Sequence, residues 1–205
     1  METGFLQVLL NPARFFESRM QEEPSLKVPA LIALVCGLIG AVSALMMTDI
    51  TVAMLPAEMK GLGWLMVAFS TAVAFIGGFL AWIIYGFIFH IISMAFKGQG
   101  SLNRTLEVTG YGLLPQVFGG IIGSIFSYLL LSGLTVPAMS SAEEIAAFSE
   151  NLVTVLTTDP LAQVAGIVGV LFLIWSANIW IFGMKYARNL STRDAALTVG
   201  IPVDI

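Results

Sequence analysis

The chain has 205 residues, of which 58% are hydrophobic and 11% are charged. Soluble domains carry about 25% charged residues. Together with a mean hydropathy of +0.92, this composition excludes an ordinary soluble protein and predicts an integral membrane protein. The formal net charge of −4 is modest and is not gathered in one tail, which argues against nucleic acid as a partner.

Residues 1–27 precede the first long apolar run, and we expect them to form a cytoplasmic segment at the membrane interface. Their apolar residues fall on one side of a short helix, with Arg14 and Arg19 nearby. This pattern fits an amphipathic helix lying on the membrane, and it fits equally a short helix packed against a bundle. The residues in question are Phe5, Leu6, Leu9, Leu10, Ala13, Phe15 and Phe16.

Four apolar runs are each long enough to cross hydrocarbon, which takes about 20 helical residues. They cover residues 28–47, 64–96, 105–131 and 161–186. As one helix the second run would approach ~50 Å, so it must tilt, kink at Gly77 and Gly78, or project beyond the membrane.

The residues after the fourth run, 195–205, are too few to cross a bilayer. They would begin a fifth span if the natural chain continues. We therefore predict an all-α integral membrane protein in which residues 28–205 form one bundle of four full spans.

The third span carries two marked features. Gly110, Gly112 and Pro115 lie within six residues, and a proline without an N–H should kink or break the helix there. Farther along, Gly119, Gly123 and Ser127 recur at four-residue spacing, which is typical of a stripe where helix backbones approach closely. We favour close packing for this stripe over a ligand groove.

The long connection at about 133–160 should be an extracytoplasmic helical loop. Ser140 and Ser141 precede two glutamates, which is typical of a helix N-terminus, and a helix over 142–156 is expected. The acidic residues have no His or Cys among them, and their spacing matches no calcium loop, so we predict no metal site.

Four polar residues of the spans lie at similar estimated depths. His90, Tyr111 and Asn178 are each seven residues from a cation near the membrane surface, roughly 10 Å at 1.5 Å per residue, and Glu107 is shallower. We predict that the four form one buried polar cluster. It could serve as a site for a lipid headgroup, an ion or a proton; we favour the simpler interpretation that these side chains join helices.

No pattern in the sequence supports an enzyme. His90 has no second histidine at helical spacing and no nearby nucleophile, and the chain carries no P-loop or dinucleotide fingerprint. We therefore expect no catalytic residues, no cofactor and no resident metal.

Three short motifs carry a resemblance to a known family. They are Asn11-Pro-Ala-Arg-Phe-Phe16, Gly98-x-Gly-Ser-Leu followed by Arg104-Thr-Leu, and Gly110-Tyr-Gly-Leu-Leu-Pro115. In this order, and with this hydropathy profile, the chain resembles the Yip-one domain family of multispanning membrane proteins, in a prokaryotic-type form. Eukaryotic members interact with Ypt/Rab-type small GTPases. The Asp-Leu-Tyr-Gly-Pro motif of that branch is missing here, which argues against Rab binding.

The resemblance implies a role in membrane organisation or trafficking through contacts with lipids or with a membrane or cytoplasmic protein. A small transporter or channel with a polar site in the inner leaflet is the alternative, because a broken third span resembles the broken helices of transporters. A homo-oligomer is compatible with either function, and sequence alone identifies no solute or partner.

The distribution of basic residues predicts the topology. Eight Lys and Arg lie in the N-terminal segment, the 97–104 turn and the C-terminal flank, and Lys60 alone lies on the opposite side. Since basic residues concentrate on the cytoplasmic side, both termini and the central turn should be cytoplasmic.

Cysteines introduced one at a time test this topology in intact cells. Cysteines at Gln99 and Ser191 should be shielded from an impermeant thiol reagent, and one at Ser141 should be labelled, with a Cys36→Ser background to remove the native thiol. Labelling at Gln99 without labelling at Ser141 would invert the topology.

Overall fold

A computed structural model describes residues 5–137, 139 and 141–203. Within this part of the chain every regular element is helical. The α-helices are α1 (Phe5–Leu10), α2 (Pro12–Arg19), α3 (Lys27–Met46), α4 (Thr48–Ala53), α5 (Gly63–Ala95), α6 (Leu102–Gly112), α7 (Leu114–Ser132), α8 (Ala142–Thr158), α9 (Pro160–Ala187) and α10 (Thr192–Val203), and a 3₁₀ helix covers Ala57–Leu62.

Four helical segments are long and apolar enough to cross a membrane. They are α3, the segment Glu58–Ala95 that contains α5, the segment Leu102–Ser132 that contains α6 and α7, and α9. This confirms the predicted all-α membrane bundle with four spans. The 12 residues of α10 pack against α9 and α5, burying Ala195, Thr198 and Val199.

The N-terminal pair α1 and α2 packs against the bundle through one face. Asn11 caps α2 by accepting a hydrogen bond from the Arg14 amide at 3.2 Å, and Pro12 occupies the first helical position. Phe15 and Phe16 are buried against the bundle, whereas Leu6 and Leu10 are about three-quarters exposed on α1. The pair therefore has one face in the protein core and an apolar edge facing outward.

The first two spans pack closely because glycines meet where they cross. A Cβ on Gly78 would lie 2.6 Å from the amide nitrogen of Gly37, closer than side-chain carbons ever approach. Helix α5 stays α-helical through Gly77 and Gly78, so its length is not relieved by a break there. Gly78 instead allows α5 to touch α3.

The third span breaks at Leu113, inside the predicted segment. The Leu113 amide bonds to the carbonyl of Gly110 at 3.2 Å, three residues back instead of the four of an α-helix. Pro115 lies in the first turn of α7, where the missing N–H costs nothing.

A second, smaller apolar core lies at the opposite end of the bundle. It joins Ile50 of α4, Met139 and Phe148 of α8, and the Lys60 ammonium donates to the Met139 carbonyl. Helix α8 begins with a capping box between Ser141 and Glu144, which matches the predicted N-terminal signal.

The small-residue stripe of α7 divides into different environments. A Cβ on Gly119 would lie 2.9 Å from the Phe172 ring of α9, whereas one on Gly123 would meet nothing within 4 Å. Ser127 is exposed. The continuous packing seam expected from the spacing is therefore limited to Gly119, because four-residue spacing places residues on one face without fixing how far the neighbouring helix follows that face.

Leucine substitutions should separate these two glycines. Gly119→Leu should force apart α7 and α9 at Phe172 and cost about 1–3 kcal/mol of stability, whereas the same change at Gly123 should be nearly neutral. Thermal unfolding in detergent measures both variants against the wild type. Equal losses at the two positions would contradict the packing of α7 described above.

Candidate functional site

The three motifs that carry the family resemblance meet at one end of the bundle, which we call the charged end. It comprises α1, α2, the start of α3, α6, α10, the turn at 97–101 and the last turns of α5 and α9. Three kinds of contact hold this region together: a buried ion network, an aromatic cluster, and hydrogen bonds from side chains to backbone carbonyls.

Glu107 lies at the centre of the ion network. Its side chain is fully buried on α6, yet both carboxylate oxygens accept hydrogen bonds. Arg19 Nε donates to Oε1 at 2.8 Å, Arg104 Nη1 donates to Oε2 at 2.6 Å, and the Ser25 amide donates to Oε1 at 3.2 Å. The carboxylate thus fixes the segment that follows α2 onto α6.

The two arginines extend the network to the N-terminal segment. Arg104 also donates to the backbone carbonyls of Arg19 and Glu22, and Arg19 pairs with the Glu22 carboxylate. Burying a lone charge costs several kcal/mol, so a charge at this position requires such partners.

Aromatic side chains also hold the N-terminal segment against α6. The Tyr111 ring packs edge to face with Phe15 and Phe16, at centroid distances of 5.0 and 6.3 Å. The first and third motifs are therefore joined through direct contact of their rings.

The helix break frees a carbonyl that a tryptophan then binds. Because Leu113 bonds to Gly110, the Thr109 carbonyl loses its usual helical donor, and Trp180 Nε1 donates to it at 2.8 Å. The Trp180 indole lies directly against Gly112, where a Cβ would overlap the ring. Gly112 is therefore required because it leaves room for the Trp180 ring, and the helix break itself does not require it.

A second tryptophan supports the same helix. Trp82 Nε1 donates to the Leu106 carbonyl at 2.7 Å, and a Cβ on Gly110 would lie 2.9 Å from that nitrogen and would overlap Pro29. The predicted kink glycines Gly110 and Gly112 therefore leave space for neighbouring residues from α3, α5 and α9.

The turn between α5 and α6 is held by Arg188, just after α9. Its guanidinium donates to Ser93 Oγ at 2.9 Å and to the carbonyls of Gly98 and Gly100. Burial lowers the pKa of Arg188 from its usual value.

The glycines of this turn are required by its geometry. Gly100 has a positive φ of 101°, and a Cβ there would lie 2.6 Å from the Ala187 carbonyl oxygen. Ser101 then caps α6 by accepting from the Arg104 amide at 3.3 Å. The second motif is therefore a turn locked onto the end of α9.

The structure brings together only some of the four polar residues expected to cluster. Glu107 and Tyr111 are both buried at the charged end, and His90, half-buried, hydrogen-bonds through Nδ1 to Thr105 Oγ1 at 3.0 Å on the same helix α6. Asn178 is exposed on α9 and lies outside the cluster, whereas its neighbours Ala177 and Ile179 are buried. A depth estimate gives the level of a residue along its helix but not its direction around the axis.

Sequence reasoning missed the true partners of Glu107. Arg104 precedes it by three residues, a spacing that places both on one helix face, so this half of the network had a readable signal. Arg19 lies 88 residues away in sequence and had none. Among the described residues, no three His, Cys, Asp or Glu are grouped as a metal site requires.

The fold and this site define a multispanning α-helical membrane protein whose N-terminal segment is locked to its third span. The Yip1 (Yip-one) domain model matches residues 6–204, and the chain belongs to this family. An uncharacterized protein of Methanocaldococcus jannaschii is 39% identical over 131 residues, which cover 62% of this chain and 90% of that protein. No solved structure matches the chain.

A pair of double-mutant cycles tests the ion network. Glu107→Ala and Arg19→Ala should each destabilise the protein by about 3–5 kcal/mol and be strongly coupled, because each leaves the other charge buried. Glu107→Ala and Asn178→Leu should be additive within about 0.5 kcal/mol.

Unfolding in mixed micelles gives the free energies. Glu17→Gln, an exposed change on α2, serves as the control and should have little effect. Coupling between Glu107 and Asn178 would place Asn178 in the network after all.

Proposed function

We propose that this Yip1 domain protein acts without catalysis and organises membranes or trafficking through contacts with lipids or with a protein partner. The observation that carries the proposal is that the polar groups at the charged end form hydrogen bonds to other groups within the protein. Both oxygens of Glu107 and three nitrogens of Arg188 are bonded within the protein. These groups stabilise the shape of the bundle and are not directed toward a solute.

The surfaces left for contacts are of two kinds. The sides of the spans expose aliphatic and aromatic residues along their length. At the charged end, four basic side chains are exposed: Arg14, Lys27, Lys97 and Arg193. An apolar flank below exposed cations is suited to the cytoplasmic leaflet, whose anionic lipids attract Lys and Arg by about 1 kcal/mol each. The proposal therefore has both termini in the cytoplasm.

A small transporter or channel would require different chemistry. Transport sites in membrane bundles expose polar groups or unwound backbone to the solute. Here the unwound backbone at Leu113 lies beside Trp180, whose indole binds the freed Thr109 carbonyl. The break is therefore closed by protein, which supports a scaffold over a transporter.

Reconstitution into liposomes tests the proposal. Proteoliposomes loaded with pH-sensitive and K⁺-sensitive dyes should leak no faster than protein-free liposomes. Protein purified from native membranes should carry lipids or a protein partner enriched over the bulk membrane composition, as measured by mass spectrometry.

Two variants make the result decisive. Flux that Glu107→Gln or His90→Ala abolishes, and that the exposed change Glu17→Gln leaves intact, would replace the scaffold with a transporter. Purified protein that carries lipids only in bulk proportions, and no partner, would also count against the proposal.

A further inference from the structure

A long apolar groove lies between α3 and α7 on the outer flank of the bundle. It consists of two adjoining cavities of about 400 and 340 Å³ that share Val35. The first is bordered by Val42, Ile121 and Ile125, and the second by Leu31 and Phe118. From Leu31 to Met46 the groove follows α3 for roughly 22 Å, most of a hydrocarbon core about 30 Å thick.

The floor of the groove is closed and has its polar groups satisfied. Ser43 Oγ of α3 and Ser124 Oγ of α7 lie 2.8 Å apart, and each hydroxyl is also within hydrogen-bond distance of a carbonyl of its own helix, so their two protons make two of these three bonds at a time. A Cβ on Gly120 would lie 3.0 Å from Ile39 Cγ2, so the two helices touch below the groove. The groove is thus a furrow whose lining is almost wholly apolar.

At the charged end, Leu6 and Leu9 of α1 line the groove, and Trp175 Nε1 holds α1 there by donating to the Leu9 carbonyl at 3.1 Å. Lys27 lies one turn before Leu31 at the start of α3, exposed and without an ion pair among the described residues. Side chains of a helix lean toward its N-terminus, so the ammonium extends past the end of the groove toward the headgroup level.

We propose that this groove binds one anionic phospholipid, with an acyl chain in the furrow between α3 and α7 and the phosphate against Lys27. The inference rests on the proposed function and specifies its lipid contact. The furrow offers apolar contacts to an acyl chain over its whole length. The negative charge of an anionic lipid pairs with Lys27, whereas a neutral lipid or an apolar helix would leave the Lys27 charge unpaired.

A second copy of this chain is the competing occupant. The exposed residues of the other spans are apolar and would offer Lys27 no anion. The charge of Lys27 therefore favours an anionic lipid over a second copy.

Titration of the purified full-length protein with two lipids tests the inference. Phosphatidylglycerol and phosphatidylcholine with identical acyl chains are compared by native mass spectrometry in detergent. The wild type should retain phosphatidylglycerol more strongly, and Lys27→Ala should lower its affinity about fivefold without changing that of phosphatidylcholine. Gln21→Ala, which removes an exposed uncharged side chain at the same end of the bundle, is the control and should change neither.

Filling the furrow tests the acyl-chain position. Val35→Trp places a large ring where the two cavities join and should reduce retention of both lipids, whereas Val170→Trp on the exposed face of α9 should not. Thermal unfolding checks that both variants are folded, and Val35→Leu offers a milder change if the tryptophan unfolds the protein.

The possible outcomes separate the two levels of the proposal. Lipid enrichment that neither Val35→Trp nor Lys27→Ala alters would overturn the groove and leave the scaffold function in place. A dimer that Val35→Trp converts to a monomer, with lipid retention unchanged, would assign the groove to a second copy. Solute flux without lipid or partner enrichment would overturn the function itself.

Discussion

The buried carboxylate of Glu107 is the constraint on which the charged end depends. A charge without solvent contact is stable only when its partners are held in place, and Arg19 and Arg104 supply them from two elements far apart in sequence. Through these contacts α6 fixes the N-terminal segment, which brings Phe15 and Phe16 to Tyr111. Replacing a whole buried ion network by apolar residues is often neutral in proteins, so its presence is not by itself evidence of high stability.

The break in the third span is the second organising feature, and it follows the same logic. A helix interrupted in a membrane must find new partners for its backbone, because hydrocarbon offers none. Here Trp180 binds the freed Thr109 carbonyl, and Gly112 leaves space for the indole. Arg188 likewise donates to backbone carbonyls of the turn before α6, those of Gly98 and Gly100. Both locks come from α9 and the residue after it, so one helix holds the turn before α6 and the break after it.

The three family motifs acquire a physical meaning from this arrangement. Asn11 and Pro12 begin α2, and Gly100 and Ser101 form the turn that leads into α6. Gly110 and Gly112 leave space for rings from neighbouring helices. Each motif is short because each supplies a few contacts at one meeting point.

The sequence by itself determined the membrane class, the four spans, the break near Pro115 and the helix that begins after Ser141. These depend on composition, run length and local backbone chemistry, which neighbouring residues decide. Tertiary structure alone decided that Arg19 pairs with Glu107, that Asn178 faces outward, and that Gly119 is packed while Gly123 is open. The reason is that periodicity gives the level and face of a residue on its own helix, whereas the rotation and crossing of helices depend on contacts between residues far apart in the chain.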